Sequence, residues 1–230
     1  MRKWEKLPSQ FKNDDVKYYY DILKKKKLSR FLKRAFDLVV SLFMLILLSP
    51  IFLILAIAIK LDSKGPVFYR QVRVTRYGET FKIFKFRTMV SDADKKGGQI
   101  STANDSRITR VGKVIRKLRI DELSQLIDVF RGKMSFVGTR PEVPFFVNQY
   151  TPKMYATLLM PAGITSLASI KFKDEDKMLI GSTKEEIDKI YVEKVLPLKM
   201  EYNLNSIEKF GFFNEIGIMF KTVFAVFKKD

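Results

Sequence analysis

The chain of 230 residues contains neither cysteine nor histidine. Without cysteine there can be no disulfide, no thiolate zinc site and no sulfur nucleophile. Without histidine there is no Ser-His-Asp triad, no imidazole acid–base catalyst and no His-ligated metal. Any chemistry must rest on carboxylates, lysine, arginine, tyrosine or hydroxyls, and a metal would be a hard, oxygen-bound ion such as magnesium. Acidic residues are also scarce, with 25 Asp and Glu against 43 Lys and Arg, a formal net charge of +18. Such an excess calls for an anionic counterpart: nucleic acid, an acidic membrane leaflet or phosphorylated substrates. Apolar residues at 47% and charged residues at 30% argue against both a disordered chain and a polytopic membrane protein. The length suits one domain with appendages.

No cleavable signal peptide is expected, because the N-terminus is polar and the apolar run starts late. That run, from Ala35 to Ile59, is almost wholly apolar apart from Asp37. As one straight helix it would extend roughly 37 Å, enough for a bilayer core. Ser49-Pro50 sits at its centre, where proline deletes a backbone hydrogen bond and kinks the helix. The Ser49 hydroxyl can satisfy a freed carbonyl. Each half would then be roughly 20 Å long, too short to span alone. Both flanks are basic, with Arg30, Lys33 and Arg34 before the run and Lys60, Lys64 and Arg70 after it. Basic flanks remain cytoplasmic. The pattern leaves a spanning helix and a re-entrant one both open. Arg34 and Asp37, three residues apart, are expected to pair at the interface.

Residues 65–88 read as strand, turn, strand, and residues 91–105 as an exposed loop. Thr109 to Phe130 reads as helical, and residues 183–202 as helical with an interruption near Pro197. The phenylalanine-rich stretch from Ile207 to Lys229 suits either a core helix or an amphipathic helix in the lipid interface; the latter is favoured because the chain has another membrane-seeking segment. The resulting organisation is a basic N-terminal segment at 1–34, a membrane helix at 35–61, a polar main domain at 62–204 and an amphipathic helix at 205–230.

Arg107, Arg110, Lys113, Arg116 and Arg119 recur every three residues and run into Asp121-Glu122. Lys85, Arg87 and Arg140 add charge from other segments. Cations followed by adjacent carboxylates suit a phosphate site, where a carboxylate holds magnesium or attacks phosphorus. The plainer alternative makes Asp121 a helix N-cap and the basic ridge a solvated or lipid-facing surface.

Six segments taken in order carry a resemblance: Lys33 to Asp37, Leu48-Ser49-Pro50, Lys85 to Met89, Asn104 to Gly112, Ile120 to Leu126 and Met134 to Glu142. Together they resemble the bacterial sugar transferases, specifically the short, monotopic phosphoglycosyl transferases. The resemblance implies an α+β, mostly helical monotopic membrane protein, with a re-entrant helix broken at Ser49-Pro50, a small β-hairpin and amphipathic interfacial helices. It implies a place on the cytoplasmic face of the bacterial inner membrane, among anionic lipids. It makes Asp121 of the Asp121-Glu122 dyad the nucleophile, with Mg2+ beside it on Asp121 and a covalent phosphosugar intermediate. It implies transfer of a sugar 1-phosphate from a UDP-sugar to undecaprenyl phosphate with release of UMP, and no nucleic-acid partner. Lys85, Arg87, Arg116 and Arg140 fall on its phosphate-binding cations.

The usual Arg-Pro-Gly-Ile-Thr-Gly-Trp-Ala-Gln stretch is here Met160 to Ser169, without its tryptophan and glutamine. The identity of the sugar therefore does not carry over. The reading outside this family is a non-enzymatic basic protein of membrane surfaces or nucleic acids, which accounts for the charge but not for six ordered segments.

Overall fold

The computed structural model describes residues 1–91, 93, 106–173 and 183–227. Most of the loop expected at 91–105 lies outside them. The described residues are mostly helical, with an antiparallel hairpin and a short parallel strand pair.

Helix α1 (Asp14–Lys25) starts at Asn13, whose side chain accepts the Val16 N–H. Two acids in its first turn and two lysines in its last suit the helix dipole. Its inner face packs on a 3-10 segment (Pro152–Leu159) and on helix α9 (Leu196–Glu208). Phe11, Val16 and Leu23 are completely enclosed there, with Leu159 and Met200 in the same core. Each such side chain contributes about 1.5–3 kcal/mol. The N-terminal segment is thus built into a core shared with side chains from Val147 to Leu159 and from Tyr191 to Phe210.

Helix α2 (Lys27–Leu47) and helix α3 (Ser49–Asp62) meet at a bend of 60°. Pro50 falls in the first turn of α3, where no N–H is needed, and the Ser49 hydroxyl donates to the Ile46 carbonyl at 2.8 Å. No single helix among the described residues is long and apolar enough to cross a membrane; the bent pair has the combined length and composition. Its outer side is an apolar sheath that includes Val39, Phe43, Ile46, Leu53, Ile54 and Ile57. Its inner side carries a buried stripe at i, i+4 and i+8: Lys33, Asp37 and Ser41. Lys33 pairs with Glu215 and donates to the Val137 carbonyl at 2.8 Å. Asp37 accepts the Phe136 N–H at 3.2 Å.

The expected pairing of Arg34 with Asp37 is not made. Arg34 donates instead to the Val129 and Phe130 carbonyls at 2.8 and 2.9 Å. These lie at the C-terminal end of helix α5 (Gln125–Phe130), where terminal carbonyls and the helix dipole attract a cation more directly than a carboxylate turned inward.

Strands β1 (Phe68–Val74) and β2 (Thr80–Phe86) form the expected antiparallel hairpin. Strands β3 (Met134–Val137) and β4 (Ala162–Thr165) pair in parallel. Gly163 permits that pairing, because a Cβ there would stand 2.1 Å from the Gly138 nitrogen. The stretch read as one helical unit from Thr109 to Phe130 is divided into α4 (Arg110–Lys117), a 3-10 turn (Ile120–Glu122) and α5. Arg119 is the break, with a left-handed φ of 54°. Short helices α6 (Pro144–Val147) and α7 (Leu167–Lys171) bracket β4. Helix α8 (Lys184–Ile190) passes through a π turn (Tyr191–Val195) into α9, whose first turn holds Pro197. Helix α10 (Phe212–Phe227) returns along α2 and β3, with Phe213, Phe220 and Phe224 exposed.

Asp128 on α5 fixes the hairpin by accepting the Phe84 N–H at 2.8 Å. Burial pushes its carboxyl up to about 6 despite that bond. A carboxyl whose folded value lies above its unfolded value stabilises the fold most at low pH and loses that contribution as pH rises through about 6. Asp128→Asn keeps an acceptor and abolishes the titration. The variant should gain on the parent by on the order of 2 kcal/mol between about pH 4 and pH 7. Thermal unfolding across that range checks it; a difference independent of pH contradicts the assignment.

Candidate active site

The Asp121-Glu122 turn meets three other segments. Lys85 comes from β2, Arg116 from the last turn of α4 and Arg140 from the loop after β3. Gly112 lets α4 lie against the chain at Thr88, since a Cβ there would stand 2.1 Å from the Thr88 carbonyl oxygen. That approach brings Arg116 Nε to Thr88 Oγ1 at 2.9 Å. The left-handed Arg119 then turns the chain between α4 and the dyad, a conformation that costs a non-glycine residue about 1–2 kcal/mol.

The two carboxylates of the dyad have different surroundings. Glu122 accepts from Lys85 Nζ at 3.0 Å and from Arg140 NH1 and NH2 at 3.3 and 2.6 Å. Burial opposes its charge, but Arg140 and Lys85 outweigh that effect and hold the carboxyl well below the usual range. Asp121 forms no salt bridge or side-chain hydrogen bond with another described residue and lines an open cleft. Burial, and then the neighbouring negative Glu122, push its carboxyl up; Lys85 and Arg116 pull the other way. Its side chain does not cap α5, whose N-cap residue is Ser124.

The cleft has a volume of about 790 Å³. Besides Asp121, Lys85 and Arg116, its walls include Tyr69, Gln71, Arg73 and Arg107. Arg73 is placed by hydrogen bonds to Gln71 Oε1 at 2.7 Å and to the Pro141 carbonyl at 3.1 Å. Sequence reading did not single out Tyr69, Gln71 or Arg73. Their alternation along β1 was the available signal, because alternate strand residues share a face, but a polar strand face ordinarily reads as solvent-exposed.

Arg87 also borders the cleft, yet its guanidinium is directed elsewhere. NH2 donates to the Ser63 carbonyl at 2.7 Å and to Ser63 Oγ at 3.0 Å, and NH1 donates to the Lys64 carbonyl at 3.0 Å. With the Ile59 carbonyl at 3.3 Å, these contacts make Arg87 a cap for the C-terminal end of α3. Ser49 and Pro50, at the other end of α3, do not line this cleft.

Among the described residues, no group of three or more carboxylates could hold a metal ion. Magnesium commonly takes one or two carboxylates and completes its shell with water and substrate phosphates. Asp121 fits that requirement, whereas the Glu122 oxygens already serve Lys85 and Arg140.

Residues 28–229 match the family model described as bacterial sugar transferase. The chain is 36% identical over 197 residues to a UDP-N-acetylgalactosamine-undecaprenyl-phosphate N-acetylgalactosaminephosphotransferase of Aeromonas hydrophila, covering 84% of this chain and 43% of that protein. It is 39% identical over 200 residues to a UDP-glucose:undecaprenyl-phosphate glucose-1-phosphate transferase of Klebsiella pneumoniae, covering 85% of this chain and 40% of that protein. An exopolysaccharide production protein of Rhizobium leguminosarum bv. phaseoli is 39% identical over 147 residues, covering 61% of this chain and 74% of that protein. The chain thus spans less than half the length of the first two relatives. The family match runs through the bent helix pair, the cationic cleft and its dyad, and helix α10, so the chain belongs to the bacterial sugar transferase family.

Proposed function

We propose that this chain transfers a sugar 1-phosphate from a UDP-sugar to undecaprenyl phosphate, with Asp121 as a covalent nucleophile. The observation that carries the reading is the division of labour in the dyad: Glu122 is fully engaged with two cations, while Asp121 lines the cleft without an ion pair. The relatives' names share undecaprenyl phosphate and differ in the sugar. The common reaction is therefore proposed here without a particular sugar.

The donor diphosphate lies in the cleft against Lys85 and Arg116, with Arg140 alongside through Glu122. The cations offset charge on the phosphoryl oxygens as the bond to the leaving group lengthens. An Asp121 carboxylate oxygen attacks the β-phosphorus. The bond from that phosphorus to the bridging oxygen breaks, and the bridging oxygen leaves with UMP. A phosphate oxygen of the acceptor then attacks the same phosphorus, the bond to Asp121 breaks, and the carboxylate is restored. The product is undecaprenyl diphosphate sugar. Asp121 would hold magnesium, which would supply further charge neutralisation.

Both attacks can use one phosphate pocket, which suits an acceptor whose phosphate lies at headgroup depth. The bent pair supports that location. Chain segments before α2 and after α3 share cores, which supports both ends lying on one side of a bilayer that holds the bend. Basic flanks favour the cytoplasmic face for that side.

Two experiments test the proposal. Labelled UMP should exchange into the UDP-sugar in the absence of acceptor, and Asp121→Asn should reduce exchange and transfer by at least about 1,000-fold. Because the carboxyl must be ionised and its ionisation is shifted upward, the acid limb of the exchange rate should lie above the ordinary carboxylate range, with activity rising as pH rises. Transfer without exchange would replace the covalent step by direct displacement, and indifference to Asp121 would remove the enzymatic reading.

Cysteines placed at exposed Ser9 and Asn148 test the topology in this cysteine-free chain. An impermeant maleimide should label both in inverted vesicles and neither in intact cells. Opposite sidedness of the two positions rejects the re-entrant bend.

A further inference from the structure

A second cavity, of about 360 Å³, shares no lining residue with the catalytic cleft. The cleft draws on β1 from Phe68 to Arg73, and the second cavity on Arg76 and Tyr77 of the turn that follows, so the two are separate in lining while lying along one hairpin.

Besides Lys33, four cations line the second cavity: Lys27, Arg30 and Arg34 from the head of α2, and Arg76 from the hairpin turn. None of the four is in a salt bridge with a described residue. Arg30 Nε donates to the Leu23 carbonyl at 3.0 Å, Arg34 is held by the α5 carbonyls, and Arg76 lies 5.1 Å from the centroid of the Tyr77 ring. These contacts fix positions without neutralising charge. Lys33 also lines the cavity, but Glu215 balances it. The one carboxylate in the lining, Asp37, accepts a backbone N–H from Phe136. The cavity therefore carries an excess of positive charge from lysine and arginine side chains, which suits a phosphate.

Its position selects the kind of phosphate. The apolar run of α2 begins at Ala35, directly after Arg34. Phe31, which lines the cavity, is 69% exposed, and the apolar sheath of α2 continues through Leu38, Val39 and Leu42. A head held by the cations would have its chains alongside that sheath.

We infer that this cavity binds the phosphate of an anionic membrane phospholipid, at a site separate from the catalytic cleft. The inference does not depend on the proposed sugar-phosphate transfer.

The test uses the full chain in detergent, titrated with dihexanoylphosphatidylglycerol and, separately, with inorganic phosphate, and read by thermal shift. The lipid should raise the melting temperature of the parent. Lys27→Gln combined with Arg76→Gln, both exposed positions, should weaken the apparent lipid affinity by on the order of tenfold or more. Arg30→Gln alone should weaken it by about fivefold and serves as the independent second variant. UMP exchange should be unchanged in both, which separates loss of this site from failure of the catalytic reading. Absence of lipid stabilisation in the parent, or unchanged lipid affinity in both variants, overturns the inference. Equal stabilisation by inorganic phosphate at the same concentration overturns the headgroup assignment and leaves a simple anion site.

Discussion

The Glu122 carboxylate ties together three segments that are far apart in sequence. It sits between Lys85 of β2 and Arg140 of the loop after β3, and it is itself part of the turn that follows α4. A partly buried anion with a single partner would be expensive to keep charged, but two cations and several donors offset its desolvation. Removing any one member leaves the others uncompensated in a cleft already rich in positive charge. The same arrangement leaves Asp121 beside a saturated neighbour, lining the cleft with its own oxygens uncommitted. Adjacency in sequence brings the two acids together; the difference in their partners separates their roles.

Arginine is used in two further ways that link the bent helix pair to this centre. Arg87 closes the C-terminal end of α3 from the wall of the cleft, and Arg34 closes the C-terminal end of α5 from the head of α2. In each case the planar guanidinium answers carbonyls at or just beyond a helix C-terminal end. Through Arg87, the depth of α3 and the position of β2 become a single mechanical quantity. The buried Lys33–Glu215 pair does the same for α2 and α10.

Local chemistry made several features legible in the sequence. Ser49-Pro50 foretold the bend, and the aromatic run around Tyr77-Gly78 foretold the hairpin. The cationic ridge running into Asp121-Glu122 pointed to a meeting of cations and carboxylates, and Lys85 and Arg116 do line one cleft with Asp121. What escaped depended on encounters between distant segments. The apolar pattern from Thr109 to Phe130 was continuous, and nothing in it announced the left-handed Arg119 that divides it. Long cationic side chains can reach several partners, so spacing suggested Arg34 with Asp37 while the fold offered Arg34 the nearer carbonyls of α5. The charge of Arg87 was visible, but its direction toward Ser63 and Lys64 was not. Strands β3 and β4 have four residues each, too few for a two-residue periodicity to declare itself.

The shared core of α1 with the segments that follow α3 has a consequence for the lipid around the bend. A helix pair whose two ends stay on one side enters without carrying any polar chain across. Under the proposed re-entrant topology the pair, with neither apolar arm long enough to span, would displace more lipid from the leaflet it enters than from the other. Each copy would then act as a one-sided wedge, adding lateral pressure to the leaflet it enters.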